Sequence, residues 1–124
     1  MARVRVSRDV APDAVRDLLE RVPRACVCFA GEHGPQALPA LLAWRDRRHL
    51  AGLPETADRP APGQEVVLLV DEGIHFFDLR AVYVRGTARP VPAPDGVPAG
   101  HAWFEVVPVK TVAWDYGSLR EVRE

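Results

Sequence analysis

The hydrophobic pattern is clearest between Glu65 and Val91, where two β-rich runs flank a short polar segment. Val66 to Val70 is an unbroken apolar run rich in β-branched residues, and such a short bounded run predicts a strand buried on both faces. Asp71 to Gly73 is predicted as a turn, after which a longer β-rich run extends from Ile74 to Ala88. Two such runs joined by a few residues that include glycine predict an antiparallel hairpin.

Both faces of the second predicted strand are apolar from Ala81 to Val84. Because successive side chains of a strand point to opposite faces, this stretch needs cover on two sides. We expect a barrel interior on one side and a helix or second subunit on the other. Gly86 follows in the same strand. A glycine in a strand pattern predicts a β-bulge or a barrel corner, and we favour these over close approach to a ligand.

One helix is predicted near the start of the chain. Apolar residues at helical spacing follow Asp9, Pro12 suits the first turn, and Val22-Pro23 ends the pattern. The segment Gln36 to Trp44 is rich in alanine and leucine, which favour helix, yet Pro39 in its middle favours strand. Further strands are predicted at Ala25–Ala30, Gln36–Trp44, His49–Leu53 and Ala102–Trp114, with a short edge strand or ordered tail at Arg3–Ser7 and a charged tail after Gly117.

This order of elements predicts a mainly β protein built as a small antiparallel barrel of about six strands with one helix. Two long connections, Pro54 to Gly63 and Pro90 to Gly100, are rich in proline. The chain of 124 residues is predicted to form a single domain, residues 1–124. Loops carry function more often than strands do. We expect function in the connection from Pro54 to Gly63, the longest loop before the predicted hairpin.

Charge and hydropathy exclude two classes of partner. With 16 basic and 17 acidic residues, the chain lacks the excess positive charge that binds nucleic acid. It has no apolar run of membrane-spanning length and no signal-peptide pattern, so no membrane is expected and the predicted location is cytoplasmic.

Two cysteines, Cys26 and Cys28, occur two positions apart in one predicted strand. A C-x-C pair without further cysteines, and without histidines at ligand spacing, does not make a four-ligand zinc site. No metal site is therefore predicted. We expect two reduced thiols in the core or at its edge.

The other residues that could carry chemistry have simpler interpretations. Arg80, Arg85 and Arg89 are predicted to be solvated or salt-bridged rather than to form a phosphate site. No carboxylate or nucleophile is spaced to activate His75 or His101. No catalytic residue is therefore predicted.

In the order and spacing of its segments, the chain resembles a known family, the pyridoxamine 5'-phosphate oxidase-like proteins. The segments are ACVCFAG, QALPALLAW, HLAGLP, EVVLLVD, LRAVYVRGTA and FEVVPVKTVAWDYG, which together cover nearly the whole chain. The resemblance implies the FMN-binding split-barrel fold, a six-stranded antiparallel barrel. It also implies a homodimer with two cofactor sites in the groove between subunits.

The cofactor implied by the resemblance is usually FMN. A flavin needs an apolar slot for its ring and cations or free amides at its phosphate. The implied cofactor-binding residues are Pro39, Ala40 and Leu41, whose backbone is implied to lie beside the isoalloxazine ring, Leu53, Thr56 and Arg59 near the ribityl and phosphate groups, and Trp103 or Trp114 reaching the partner's ring. Where relatives carry lysine or arginine after the third strand, this chain has Glu55 and Asp58.

Three functional hypotheses follow from the residues and the resemblance. The first is an oxidoreductase dependent on FMN or a deazaflavin, acting on a small-molecule substrate that the sequence does not specify. The second, motivated by the acidic loop, is a cofactor-free dimeric binding module that has lost the phosphate grip. The third is a haem-binding relative with His75 or His101 as axial ligand.

Overall fold

The structure, a computed structural model, describes residues 4–7, 12–73, 79–115 and 120–123. Over these residues it contains one helix and eight strands. In chain order they are β1 (Val4–Ser7), α1 (Pro12–Arg21), β2 (Arg24–Gly31), β3 (Gly34–Arg45), β4 (Arg48–Pro54), β5 (Glu65–Glu72), β6 (Arg80–Val91), β7 (His101–Asp115) and β8 (Arg120–Arg123).

Six of the strands form a closed antiparallel barrel in the order β2-β3-β4-β7-β6-β5. The barrel closes where β2 pairs with β5, with Val27 opposite Leu68. The predicted mainly β fold, a six-stranded antiparallel barrel with a single helix, is confirmed for the described residues. The segment Gln36 to Trp44 lies in β3, so its strand prediction is also confirmed.

Alternate residues of the six strands fill the barrel interior. Val27, Leu53, Leu68 and Val84 have no exposed surface. The helix α1 contributes Leu18 and Leu19 to the same core, and Val22 follows directly after the helix. This core also contains Phe29, Leu42, Val66, Val70, Val82, Phe104 and Val106. The helix begins at Pro12, which was predicted to lie in its first turn, while Asp9 lies outside the described residues.

Gly86 lies at a β-bulge, as predicted. The pairing of β6 with β7 shifts register between Arg85 and Gly86, and Gly86 lies opposite Pro108 while Val109 is the additional residue. A Cβ on Gly86 would lie 2.1 Å from the carbonyl oxygen of Val107. The glycine is therefore required because two backbones approach too closely for a side chain.

Two predictions about strand ends were wrong. Asp71 and Glu72 lie in β5 rather than in a turn, because they pair with Ala81 and Arg80 of β6. An Arg80–Glu72 ion pair of 3.2 Å supports this extension, while the predicted strand start at Ile74 lies outside the described residues. At the other end, residues 120–123 of the predicted charged tail form β8, because β1 supplies an antiparallel partner strand.

His49 is a buried histidine that the sequence analysis did not single out. It is 7% exposed, and its ring lies edge-on to Trp44 with the two ring centroids 4.6 Å apart. Its Nδ1 atom is buried without a hydrogen-bond partner. Burial lowers the pKa of His49 from its usual value of 6.5, and this effect outweighs the nearby Glu105, which raises it.

The stability of the barrel is therefore expected to depend on pH through His49. Because the folded-state pKa is lowered, the unfolded chain binds the proton first as the pH falls. Stability is fully present above pH 6.5 and is lost as the pH falls through the folded value. Urea unfolding between pH 7 and pH 5 measures this loss, and His49→Phe should remove it while staying within about 1 kcal/mol of wild type at pH 7. An unchanged pH dependence in His49→Phe would contradict the assignment.

Candidate cofactor-binding site

An apolar surface forms on the outside of the barrel where β3, β4 and β7 lie side by side. Leu41 pairs with Gly52, which in turn pairs with Trp103, so these three residues form one row across the strands. Ala43 and Leu50 form the next row. We call these five residues the outer platform. Val91 and Val97 pack against its buried part.

The contact between Gly52 and Trp103 determines the shape of the platform. Trp103 is 5% exposed, and a Cβ on Gly52 would lie 2.7 Å from its Cε2 atom. Only glycine therefore allows the indole to lie against the backbone of β4. The indole Nε1 donor is buried and has no hydrogen-bond partner, which costs about 1–3 kcal/mol.

Residues 92–100, the covering loop, lie over part of the outer platform. Val97 of this loop packs against the platform, and Arg45 Nη1 donates a hydrogen bond of 2.8 Å to the carbonyl oxygen of Asp95. At the far end of the loop, the amide of Glu55 donates to the carbonyl oxygen of Gly100 at 3.0 Å. The covering loop is therefore attached at two points, on β3 and just after β4.

A groove of about 330 Å³ lies between the platform, the covering loop and the end of α1. We call it the Trp103 groove. Its apolar walls include Leu41, Ala43 and Trp103 from the platform, Leu19 and Pro23 near the helix end, and Val97 and Pro98 from the loop. Its volume lies at the low end of the range of about 300–1,000 Å³ for small-molecule sites.

A second groove of about 320 Å³ lies on the other side of the covering loop, between residues 91–95 and the side chains of Arg45, Asp46 and Arg48. Arg48 is held by the buried carboxylate of Glu105, to which its Nε and Nη2 atoms donate at 2.9 and 2.7 Å. Arg89 donates to the same carboxylate oxygen. The Arg48 hydrogen bonds hold the pKa of Glu105 below its usual value although burial opposes them.

Arg80 and Arg85 are also salt-bridged, as predicted. Arg80 lies 3.2 Å from Glu72, and Arg85 lies 3.7 Å from Glu65. Together with the Arg89–Glu105 pair, these contacts leave no row of arginines free to form a phosphate site. His75, the other residue considered there with His101, lies outside the described residues.

The structure brings two of the predicted cofactor-binding residues together, since Leu41 and Trp103 both line the Trp103 groove. Pro39 is exposed on the same side of β3, two positions before Leu41. The side chains of Ala40 and Leu53 belong to the barrel core. These two residues can therefore contact a ligand only through their backbone.

The other three predicted residues lie apart from the groove lining. Thr56 and Arg59 are exposed in the connection between β4 and β5. Trp114 is half-buried against Tyr83, with ring centroids 6.1 Å apart. Trp103 and Trp114 belong to one strand and lie on the order of 30 Å apart along it, so they do not share a site within one chain.

Cys26 and Cys28 are free, half-buried thiols on β2, as predicted. Burial is the main cause that raises the pKa of Cys26, and Cys28 adds to it. Among the described residues, no group of three or more histidine, cysteine or acidic side chains is arranged to hold a metal ion. The single helix in that part of the chain, α1, is not long and apolar enough to cross a membrane.

No family model and no curated protein matches the sequence. Solved structures match in fold. An FAD-binding protein from Mycobacterium smegmatis aligns with a TM-score of 0.67 at 19% identity, covering 86% of this chain and 98% of that one. A candidate pyridoxamine 5'-phosphate oxidase from Corynebacterium glutamicum aligns with a TM-score of 0.62 at 16% identity, covering 87% and 90%. The chain has the pyridoxamine 5'-phosphate oxidase-like split-barrel fold.

The same split barrel occurs in a protein with a different named ligand. HutZ, the haem storage protein from Vibrio cholerae, aligns with a TM-score of 0.62 at 8% identity, covering 86% of this chain and 97% of that one. Because these identities are low, the likeness extends to the split barrel itself. The ligand is therefore determined by the residues of the site and not by the fold.

Proposed function

We propose that this split-barrel protein binds a flavin and is a flavin-dependent oxidoreductase of the pyridoxamine 5'-phosphate oxidase-like class, with FMN or a deazaflavin as the cofactor implied by the sequence. The observation that carries the proposal is the Trp103 groove. It combines apolar walls on β3 with a buried, unpartnered indole donor, and it includes Leu41, which the sequence analysis assigned to the ring. The FAD-binding protein of similar fold supports the same ligand class.

The groove matches the ring portion of a flavin. Leu41 and Ala43 offer apolar contact to a planar ring, and burying such a ring is favourable because apolar surface leaves water. Trp103 Nε1 is a buried donor without a hydrogen-bond partner, and in this proposal it donates to an acceptor on the ring. Such a hydrogen bond would satisfy a donor that is now unpaired.

When bound, an isoalloxazine supplies electron and hydride transfer, whereas the protein supplies binding, orientation and exclusion of water. In this chain, Leu41 and Trp103 are the residues proposed to bind and orient the flavin ring. The charged side chains that line the groove are Glu20 and Arg45. They can orient the polar edge of a ligand, and neither is assigned a proton transfer.

A homodimer is part of the proposal. Trp114 lies far along β7 from Trp103 of its own chain, so it can contact the flavin only at the site of a second copy. Sedimentation of the purified protein at micromolar concentration tests this point, with a dimer as the expected result. A monomer would remove Trp114 from the site and leave the Trp103 groove as the part to test.

Flavin binding is tested by the absorption spectrum of the untreated protein and by quenching of added flavin fluorescence. We expect saturable quenching, and Leu41→Asp should weaken it at least about tenfold, because it places a carboxylate against the ring. Val109→Asp is the matched control, since Val109 is 70% exposed and does not line the groove. Absence of flavin absorbance and of quenching would contradict the proposal.

Haem is the second candidate, favoured by the likeness to HutZ. His101 is the half-buried histidine that could serve as axial ligand, and its Nδ1 lies 3.1 Å from the carbonyl oxygen of Ala99. Such a hydrogen bond is the usual way in which a metal-binding histidine is oriented. A Soret band in the purified protein, lost in His101→Ala, would decide for haem. The cofactor-free module is not favoured, because neighbours of this fold are named for flavin or haem.

A further inference from the structure

We propose that the flavin accepted by the Trp103 groove is uncharged and lacks a phosphate, so that riboflavin binds in preference to FMN and FAD. This inference rests on the proposed function and narrows its ligand. It follows from a mismatch within the site: the groove suits the ring, whereas the connection beside it does not suit a phosphate.

The connection after β4, residues 55–64, begins beside the groove. Gly52 pairs with Trp103, and Pro54 pairs with His101 two positions further along the same two strands. Two positions on a strand span roughly 7 Å. The hydrogen bond from the amide of Glu55 to Gly100 then joins the connection to the covering loop. A tail leaving the ring in this direction meets the connection first.

The charge of this connection opposes a phosphate. Glu55 and Asp58 are exposed and acidic, and Arg59 is the one basic residue between positions 55 and 64, so the segment carries a net charge of −1 (two acidic residues against one basic). A phosphate placed there meets two like charges and one opposite charge. Riboflavin carries no charge and avoids this repulsion.

Most backbone amides of the connection cannot bind a phosphate either. Phosphate sites without cations depend on several free N–H groups that point at one anion. Pro60 and Pro62 have no N–H. Five further amides already donate a hydrogen bond within the protein. Four donate to backbone carbonyl oxygens: Glu55 to Gly100, Ala57 to Pro54, Gly63 to Ala88 and Gln64 to Ala61. The fifth, the amide of Ala61, donates to the side chain of Gln64. Seven of the ten positions are thereby removed as phosphate donors.

The groove lining itself contains one basic and one acidic side chain, Arg45 and Glu20. The Nη1 atom of Arg45 already donates to the backbone carbonyl oxygen of Asp95. In the second groove, Arg48 is held by Glu105. Within the described residues that border the Trp103 groove, basic and acidic side chains balance, as expected of a site for a neutral ligand.

The experiment compares riboflavin, FMN and FAD, which share one isoalloxazine ring and differ in their tails. Each is titrated into the full-length protein at low ionic strength, and its Kd is read from flavin fluorescence. We expect riboflavin to bind about tenfold more tightly than FMN, with the difference shrinking as salt is added, because exposed charges are screened. FAD should bind no more tightly than FMN.

Charge reversal separates the connection from the rest of the site. Glu55→Lys should tighten FMN about tenfold and leave riboflavin unchanged. Glu32→Lys is the matched control, since Glu32 is exposed in the β2–β3 turn and makes the same change in net charge. It should alter neither Kd.

The outcomes are distinct. Riboflavin tighter than FMN, with the preference reduced in Glu55→Lys but not in Glu32→Lys, supports the inference. FMN or FAD binding as tightly as riboflavin overturns it and leaves the proposed flavin function standing. No binding of any of the three overturns the proposed function itself, and this inference with it.

Discussion

Replacing Trp103 with alanine is expected to lower the free energy of unfolding by about 3–5 kcal/mol. The indole covers Gly52 and fills the platform beside Ala43 and Leu50, so its removal leaves a cavity that the β4 backbone cannot close. Denaturant unfolding followed by far-ultraviolet circular dichroism measures the loss. The same variant should lose the quenching of bound flavin, because one wall of the groove is gone.

Trp103→Phe separates packing from hydrogen bonding. Phenylalanine keeps much of the apolar cover and removes the unpaired Nε1 donor, so its cost should stay below about 2 kcal/mol. Gly52→Ala should reproduce part of the alanine effect, because its methyl group would lie 2.7 Å from the indole. If Trp103→Ala unfolds at the wild-type denaturant concentration, the platform is not the packed unit described above.

Replacing Glu105 with glutamine is expected to lower the free energy of unfolding by about 1–3 kcal/mol at pH 7. The carboxylate side chain is only 11% exposed and accepts hydrogen bonds from Arg48 and Arg89, which would otherwise face each other without a negative charge. The loss is smaller than for a fully buried pair, because the two arginine side chains are 42% and 61% exposed and water screens their charge. Urea unfolding of both proteins measures the difference.

The pH dependence gives Glu105 a second signature. Its folded-state pKa is lowered from the usual value of 4.5, mainly by the hydrogen bond from Arg48. The stability it contributes is therefore present above pH 4.5 and is lost as the pH falls through the folded value, and Glu105→Gln should lack this component. Glu65→Gln is the control, because the Glu65–Arg85 pair is 3.7 Å long and well exposed, so its loss should be close to zero. Equal losses in the two variants would contradict the assignment.

The candidate site was predictable in part. Leu41 and Trp103 were assigned through the resemblance, and the structure places both in the wall of one groove. The resemblance assigned Ala40 through its backbone and Leu53 to the ribityl and phosphate region, and the side chains of both lie in the barrel core. A one-position difference along a strand changes the face on which a side chain lies, and a resemblance in segment order does not specify that face reliably.

The contacts that shape the groove could not be predicted from the sequence. Gly52 lies in β4 and Trp103 in β7, with β5 and β6 between them along the chain, and their contact depends on the pairing of β4 with β7. The carboxylate of Glu105 meets Arg48 through the same pairing of β4 with β7, whereas it meets Arg89 through the pairing of the consecutive strands β6 and β7. The sequence does contain one signal of the Gly52–Trp103 contact, because a glycine within a strand pattern indicates that another group approaches the backbone closely. It does not identify that group.

By itself, the sequence determined the helix and most strands of this protein: alternation and β-branched runs specify the barrel strands, Pro12 and Val22-Pro23 bound the helix, and Gly86 marks the bulge. These are local consequences of backbone sterics and of side-chain period. Tertiary structure alone decided the order of strands around the barrel, the burial of Trp103 over Gly52 and the position of the covering loop. They depend on which strands pair across the closed barrel, and that is settled by the free energy of the whole fold.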